Sequence, residues 1–599
     1  MFGISSWTRI VAGLTISLSA ATAVSADVIE DNAARFGLME SVANMSLSPD
    51  GTHVVYLDRS KSQTAAVVAN VDTGEAKAIM SDSPDNRLAN CTWLNDERLY
   101  CTSQAEVELV GGKDFGFSRS FAVDRNGGNV KVLGQRSSRQ QIRVNQNSGG
   151  ILDLLPNDPD HVLMEVDLIP EVAIGTRIGQ RADGLSVQKV NVDSNRMRGV
   201  QRPISSASSY YTDGRGNVTG YRLISSAIDE RGMPTYSLRV RSPKGGEWQE
   251  IAAGNADADW VSIEGYSEDG TQLYTLRPYQ GRQALFVEPS SGTGTPSLVY
   301  AHDRVDLNGV ITFGRWDRPV AVSYSDGYTR HDFFDAELKA LDDSLTAALD
   351  MPVTLIEDSW DGNRILLHAS SDQHPGSYYV FDRAAKRVIK MSDERPMLAS
   401  MDLAEVEPVQ YQAADGTRIP AYLTLPPSAG AEAKNLPFVI MPHGGPSARD
   451  YWGFDFLPQY LASIGYAVLQ PNYRGSTGYG TEWEGENAMR NWRQAISDVN
   501  DAARSMIREG VADPESMTIL GWSYGGYSAL QGGVMDPDLY RAIVAIAPVT
   551  DLPKLRDAYR WTTAYHAASR QIGGGANAAE GSPARRAKEI DAPVMIFFG

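Results

Sequence analysis

Hydrophobic and polar positions change their rhythm once along this chain, near residue 400. Before that point apolar residues come in short runs separated by polar turns, with few helical periods. Three of the turns share one form: Ser48-Pro49-Asp50-Gly51 ahead of His53-Val54-Val55-Tyr56, Ser267-Glu268-Asp269-Gly270 ahead of Gln272-Leu273-Tyr274, and Ser359-Trp360-Asp361-Gly362 ahead of Arg364-Ile365-Leu366-Leu367. Asp-Gly is a favoured turn pair because both residues accept the backbone conformations that reverse a chain. Leu94-Asn95-Asp96 ahead of Leu99-Tyr100 is a weaker copy. Strand-turn-strand units recurring over so long a stretch predict radial repetition, a β-propeller over residues 27–400, with two stacked β-sandwiches as the alternative. The aspartates read as turn formers, since no loop has the ligand spacing of a metal site. No metal or cofactor is expected.

After residue 400 strands and helices alternate. Val409-Gln410-Tyr411 and Ala421-Tyr422-Leu423 flank Asp415-Gly416 as a hairpin, and Phe438–Met441, Tyr466–Leu469, Thr518–Leu520 and Ala542–Ile546 are buried-strand runs. Met489, Trp492, Ile496, Val499, Ala503 and Met506 recur at three- and four-residue spacing, one face of a helix ending near Gly510. Alternation of this kind predicts a mainly parallel sheet covered by helices over residues 401–599. The run Ala592–Phe598 has the length and apolarity of a buried parallel strand.

Composition adds three constraints. Arg9 precedes the apolar run Ile10–Val24, and Val24-Ser25-Ala26 offers small residues for cleavage. Residues 1–26 are therefore expected to be a secretory signal peptide, too short to span a bilayer, and the protein to be exported to a periplasmic or extracellular space with no stable membrane insertion after cleavage. With 55 Lys and Arg against 74 Asp and Glu, the net charge is −19. Such a chain gains no counterion-release advantage on nucleic acid, which is excluded as a partner. The two cysteines, Cys91 and Cys101, flank a polar Asn-Asp-Glu-Arg turn in what reads as a hairpin, and in an exported protein a disulfide between them is expected.

The candidate chemistry lies at Gly521-Trp522-Ser523-Tyr524-Gly525. A serine with glycine two residues away on each side suits a strained strand-to-helix turn that projects the hydroxyl above a sheet. The apolar run before it and the small residues Gly525, Gly526 and Ala529 after it supply that strand and helix. Ser523 is thus the candidate nucleophile. His443-Gly444-Gly445-Pro446 follows an earlier strand, where a glycine-rich turn supplies one oxyanion donor, the other being the N–H of Tyr524. In this fold the triad runs serine, acid, histidine along the chain. The only histidine after Ser523 is His566, before the Ala592 strand, so the acid and histidine are expected beyond Gly599 and residues 1–599 alone are expected to be inactive, with an incomplete sheet.

Together these segments resemble the prolyl oligopeptidase family of serine peptidases over nearly the whole chain. The resemblance rests on His443-Gly444-Gly445-Pro446, on Asn472-Tyr473-Arg474-Gly475-Ser476-Thr477-Gly478-Tyr479-Gly480 and on Gly521–Gly526. It implies a propeller joined to an α/β-hydrolase domain, Ser523 as nucleophile, an oxyanion hole from the N–H groups of Tyr524 and Gly445, and a structural Arg474. His443 stands where classical prolyl oligopeptidases and dipeptidyl peptidases carry a tyrosine, so the two-backbone-donor arrangement of acylaminoacyl-peptidase-like members is closer. Dipeptidyl peptidases of the family hold the substrate's amino terminus with adjacent glutamates. This chain has no Glu-Glu pair, which favours oligopeptide or acylaminoacyl cleavage.

The leading expectation is a serine peptidase acting on short peptides through an acyl-enzyme. The alternatives are a carboxylic-ester hydrolase and an inert propeller-based binding protein. His53, His161, His302, His331, His368 and His374 fall in the propeller and read as structural, and His566 reads as a candidate pocket residue.

Overall fold

The computed structural model describes residues 26–598, apart from 110–112, 135–137, 174–178, 229–233, 256–258, 431–432, 486–487, 561 and 563. The signal peptide read at residues 1–26 lies outside them but for Ala26.

Seven separate antiparallel sheets follow one another from Val42 to Asp393, their first strands being Val42–Leu47, Arg87–Trp93, Gly150–Asp153, Ala207–Thr212, Ser262–Tyr266, Leu307–Phe313 and Val353–Asp358. Each pairs its strands in chain order; the sixth has three strands among the described residues and the others four. This is a seven-bladed β-propeller, not a pair of sandwiches. Its core is distributed between neighbouring blades. Val55, Leu57 and Ala66 of blade one meet Leu88, Trp93 and Leu99 of blade two, and Leu163 and Val187 of blade three meet Tyr210, Val218 and Tyr221 of blade four. Each sheet buries apolar side chains on both faces, which stacking around a ring provides.

The three repeated turns have one geometry. The serine hydroxyl donates to the aspartate at 2.6 Å in Ser48–Asp50, Ser267–Asp269 and Ser359–Asp361, and the glycines carry φ of 71°, 69° and 72°. Cys91 and Cys101 stand opposite each other in the hairpin of blade two and are joined by a disulfide, buried beside Trp93 and Leu99. The ring closes without a shared strand. Blade seven meets blade one through Ser41 N–H to Glu394 O, Trp360 N–H to Pro49 O, and Arg364, which donates to Gly51 O and pairs with Asp72 at 2.9 Å.

From Val406 to Phe597 a seven-stranded sheet takes over. The hairpin Val406–Gln412 and Arg418–Thr424 runs antiparallel onto Ala467–Pro471, and the remaining order Leu436–Ile440, Ala512–Trp522, Ala542–Ile546, Val594–Phe597 is parallel. The helix read from the Met489–Met506 periodicity spans Trp492–Arg508 and lays Trp492, Ile496, Val499, Ala503 and Met506 on the sheet core. The last strand pairs as expected but is not buried: Val594 to Phe598 are exposed, because no described element packs over them.

At the start of the chain an element within the propeller's span of 27–400 reaches across the boundary. The helix Ala26–Phe36 leans on the catalytic domain's helix Phe456–Ser463. Phe36 is buried with Leu398 and Leu403 against Tyr460, and Asn32 donates to Ser463 Oγ at 3.0 Å. The apolar side of an isolated helix needs a partner, and here the partner lies across the domain boundary. The domains also meet at blade seven, where Asp372 accepts from Val406 N–H (2.8 Å), and at blade five, where Asp306 accepts from Gly480 N–H (2.9 Å) and Gln283 N–H (2.8 Å).

Candidate active site

Ser523 sits at the turn between the strand Ala512–Trp522 and the helix Tyr524–Met535, with φ 57° and ψ −116°. That region is nearly closed to residues with a Cβ, so the surroundings must fix it. They do so through backbone: Ser523 N–H donates to Ile546 O at 2.9 Å, and Ser523 O accepts from Tyr527 N–H at 3.0 Å. The glycines have a steric reason. A Cβ on Gly521 would lie 2.2 Å from Gly525 O, one on Gly525 2.1 Å from Pro442 O, and one on Gly526 3.0 Å from Gly521 O. The elbow is thus pressed against both its own strand and the turn after Leu436–Ile440. Ser523 is exposed, its Oγ making no hydrogen bond among the described residues, and Trp522 beside it is 57% exposed. Tyr524 is fully buried, its OH donating to Ala488 O at 2.9 Å, which pins the first residue of the helix whose N–H is the candidate oxyanion donor.

The turn His443–Pro446 lies against this elbow. A Cβ on Gly444 would be 3.6 Å from Ser523 Cβ and 3.2 Å from Trp522 O, while Gly445 carries φ 124°. His443 holds the turn from below. Its ring stacks on Tyr473 at 4.4 Å, Nδ1–H donates to Gly444 O at 2.8 Å, Nε2 lies 2.8 Å from Ser476 Oγ, and Tyr473 OH donates to His443 O at 3.0 Å. Burial outweighs the Gly444 hydrogen bond and pulls the imidazole down to about 4, so it is neutral with both nitrogens engaged. His443 therefore builds the turn. Arg474 is likewise built in: its Nε and Nη2 bind the buried Asp498 at 2.9 and 2.6 Å, and Nη1 reaches Asp415 and Thr417 of the hairpin. His566 lies exposed on the helix Tyr565–Ile572, its ring near that of Tyr565.

The sequence motifs did not disclose the layer that joins these parts. Asn472, fully buried, accepts from Asp450 N–H at 2.7 Å and donates to Asp450 O at 3.1 Å and to Tyr479 OH at 2.9 Å, tying the continuation of the His443–Pro446 turn to the Asn472–Gly480 loop. Arg449 Nη2 donates to the same Tyr479 OH at 2.7 Å. Asn472–Gly480 reads as a motif, but Arg449 and Asp450 lie past the end of His443–Pro446, and only the folded structure shows that they bond to it.

An exposed serine on a strand-to-helix elbow, above a mainly parallel sheet and joined to a propeller, defines a serine-type α/β-hydrolase with a β-propeller domain. Residues 452–599 match the profile of the prolyl oligopeptidase family. The chain is 27% identical to dipeptidyl aminopeptidase BIII of Pseudoxanthomonas mexicana over 584 residues, 93% of this chain and 78% of that protein. It is 32% identical to the acylamino-acid-releasing enzyme of Homo sapiens over 151 residues, 25% of this chain and 20% of that protein. A puromycin-hydrolyzing peptidase of Mycobacterium tuberculosis shares the fold at TM-score 0.65 and 17% identity, over 94% of this chain and 86% of that one. The chain thus resembles the prolyl oligopeptidase family through residues 452–599 and is a serine-type peptidase.

Proposed function

We propose that Ser523 is the nucleophile of a peptidase that hydrolyses short peptides, oligopeptide or acylaminoacyl, through an acyl-enzyme. The observation that carries this reading is the backbone of Ser523, held at positive φ with its hydroxyl exposed beside the Gly444 turn. Ser523 Oγ attacks the scissile carbonyl as a base takes its proton, the N–H groups of Tyr524 and Gly445 receive the oxyanion, the amine leaves, and water releases the acyl group. Ester hydrolysis would use the same parts, but the peptidases among its relatives favour a peptide bond. Dipeptide release from a free amino terminus is the second reading, favoured by the similarity to a dipeptidyl aminopeptidase over most of both chains. The leader-like Arg9–Ala26 segment supports export to a periplasmic or extracellular space.

The test is labelling of the full-length protein by a fluorophosphonate, followed by peptide mapping, with chromogenic aminoacyl, dipeptidyl and acylaminoacyl substrates in parallel. Label is expected on Ser523 alone, and Ser523→Ala is expected to lose it together with about a million-fold in turnover while keeping its fold. Labelling that survives that substitution overturns the assignment.

A further inference from the structure

A cavity of about 670 Å³ opens between the catalytic hairpin and blades five and six of the propeller. Its catalytic wall is one face of the hairpin: Arg418, Pro420 and Tyr422 alternate along one strand, opposite Gln410 and Pro408 on the other. Tyr422 OH donates to Gly327 O at 2.7 Å across the gap, so the two walls are already in contact at one edge. Four arginines face this space, Arg282 and Arg304 from the propeller and Arg418 and Arg474 from the catalytic domain.

In a chain with a net charge of −19 this concentration of guanidinium groups runs against composition. Two of the four are neutralised: Arg304 pairs with Asp326, and Arg474 with Asp498 and Asp415. Arg282 and Arg418 have no ion pair or side-chain hydrogen bond among the described residues, and Arg282 Nε is buried without a partner. A buried N–H left unpaired costs on the order of 1 to 3 kcal/mol, more when it belongs to a charged group. The only other unpaired charge on the wall is the carboxylate of Glu482, which lies exposed. A planar guanidinium presents a fork of donors that matches two oxygens of one carboxylate or phosphate.

We propose that this cavity binds a small oxyanion, a carboxylate or phosphate group, between Arg282 of the propeller and Arg418 of the catalytic hairpin. The bound anion bridges the domains where each contributes one arginine without a counter-ion. It supplies an acceptor for the two guanidinium groups and leaves the Ser523 elbow untouched, so the proposal stands apart from the reading of the active site.

Thermal unfolding of the full-length protein in inorganic phosphate, against chloride at matched ionic strength, tests it. The midpoint is expected to rise with phosphate and saturate, beyond any rise in chloride. The rise is expected to vanish in Arg418→Ala, whose side chain is exposed, and in Arg282→Gln, which keeps the stem packed on Gly480. It is expected to persist in Arg198→Ala, on the distant blade three. No rise beyond chloride, or an equal rise in Arg418→Ala and the unaltered protein, overturns the proposal. Peptides added to the Ser523→Ala variant in phosphate separate the sources of the anion. A peptide with a free C-terminal carboxylate that removes the phosphate increment, where its amide does not, assigns the site to a peptide end. Indifference to both assigns it to a free anion.

Discussion

Serine and glycine make tight turns in both domains, and they divide the labour in opposite ways. In the three propeller turns glycine takes the positive φ, near 70°, and the serine hydroxyl is spent on the neighbouring aspartate. At the elbow serine takes the positive φ of 57°, and Gly521, Gly525 and Gly526 contribute only the absence of a side chain. A propeller turn thus satisfies itself locally and can be repeated anywhere. The elbow leaves its hydroxyl unspent and passes the strain to the strands and helix around it, which is why it occurs once.

The largest expected effect comes from filling the space that the elbow glycines leave. Gly525→Ala sets a Cβ 2.1 Å from Pro442 O, a rigid backbone atom, and is expected to cost at least about 4 kcal/mol and abolish fluorophosphonate labelling. The same change at Gly270, whose Cβ would meet nothing nearer than 3.7 Å, is expected to cost about 1 kcal/mol for its φ alone and leave activity intact. Urea unfolding of both variants makes the comparison, and equal costs would erase it.

The turn that receives the elbow should show its own acid sensitivity. His443 falls from an ordinary 6.5 to about 4 in the folded protein, so between those values the unfolded chain binds the extra proton. Stability from this group is complete above about 6.5 and is lost as pH falls toward 4, on the order of 3 kcal/mol in all. Denaturation midpoints of the unaltered protein and of His443→Gln, compared from pH 7 to 4, should converge by that amount; parallel curves would show that His443 does not titrate this way.

Within the propeller, replacing Cys91 and Cys101 by alanine is expected to cost about 2 to 3 kcal/mol for a loop this short, with hydrolysis per folded molecule unchanged. Non-reducing peptide maps should find the two residues linked, and two alkylatable thiols in native protein would refute it. The smallest effect sharpens the opening contrast most. Ser523→Gly removes the nucleophile but also the Cβ held at φ 57°, and should stabilise the fold by about 1 kcal/mol relative to Ser523→Ala.

The repeating half of the molecule was legible because short alternating runs recur from blade to blade and the same Ser-x-Asp-Gly turn marks blades one, five and seven. The elbow was legible for the opposite reason: its glycines stand within three residues of Ser523, although part of what presses on them, Pro442, Ile546 and Pro548, is distant in the chain. What the sequence hid was long-range. Asn472 binds Asp450, His443 stacks on Tyr473, and the helix Ala26–Phe36 crosses to Phe456–Ser463, each joining segments whose separation in the chain carries no periodic signal. The strand Val594–Phe597 showed the converse. Its apolarity predicted pairing correctly but not burial, because burial belongs to whatever packs on a strand and not to the strand itself.

The closure of the ring bears on its mechanics. Every blade is cut from contiguous chain and no hydrogen-bonded ladder spans any junction between blades, but only that of seven and one lacks a connecting segment as well; it is held by the bonds around Arg364 and by an apolar seam in which Leu47 and Val54 meet Leu366 and Val380. Salt screens the ion pair of that closure but leaves its apolar seam in place. The closure of the ring is therefore the one junction with no length of chain to hold it. That junction adjoins the segment running from Glu394 into the catalytic domain, so the seam of the ring and the tether between the two halves of the protein lie side by side.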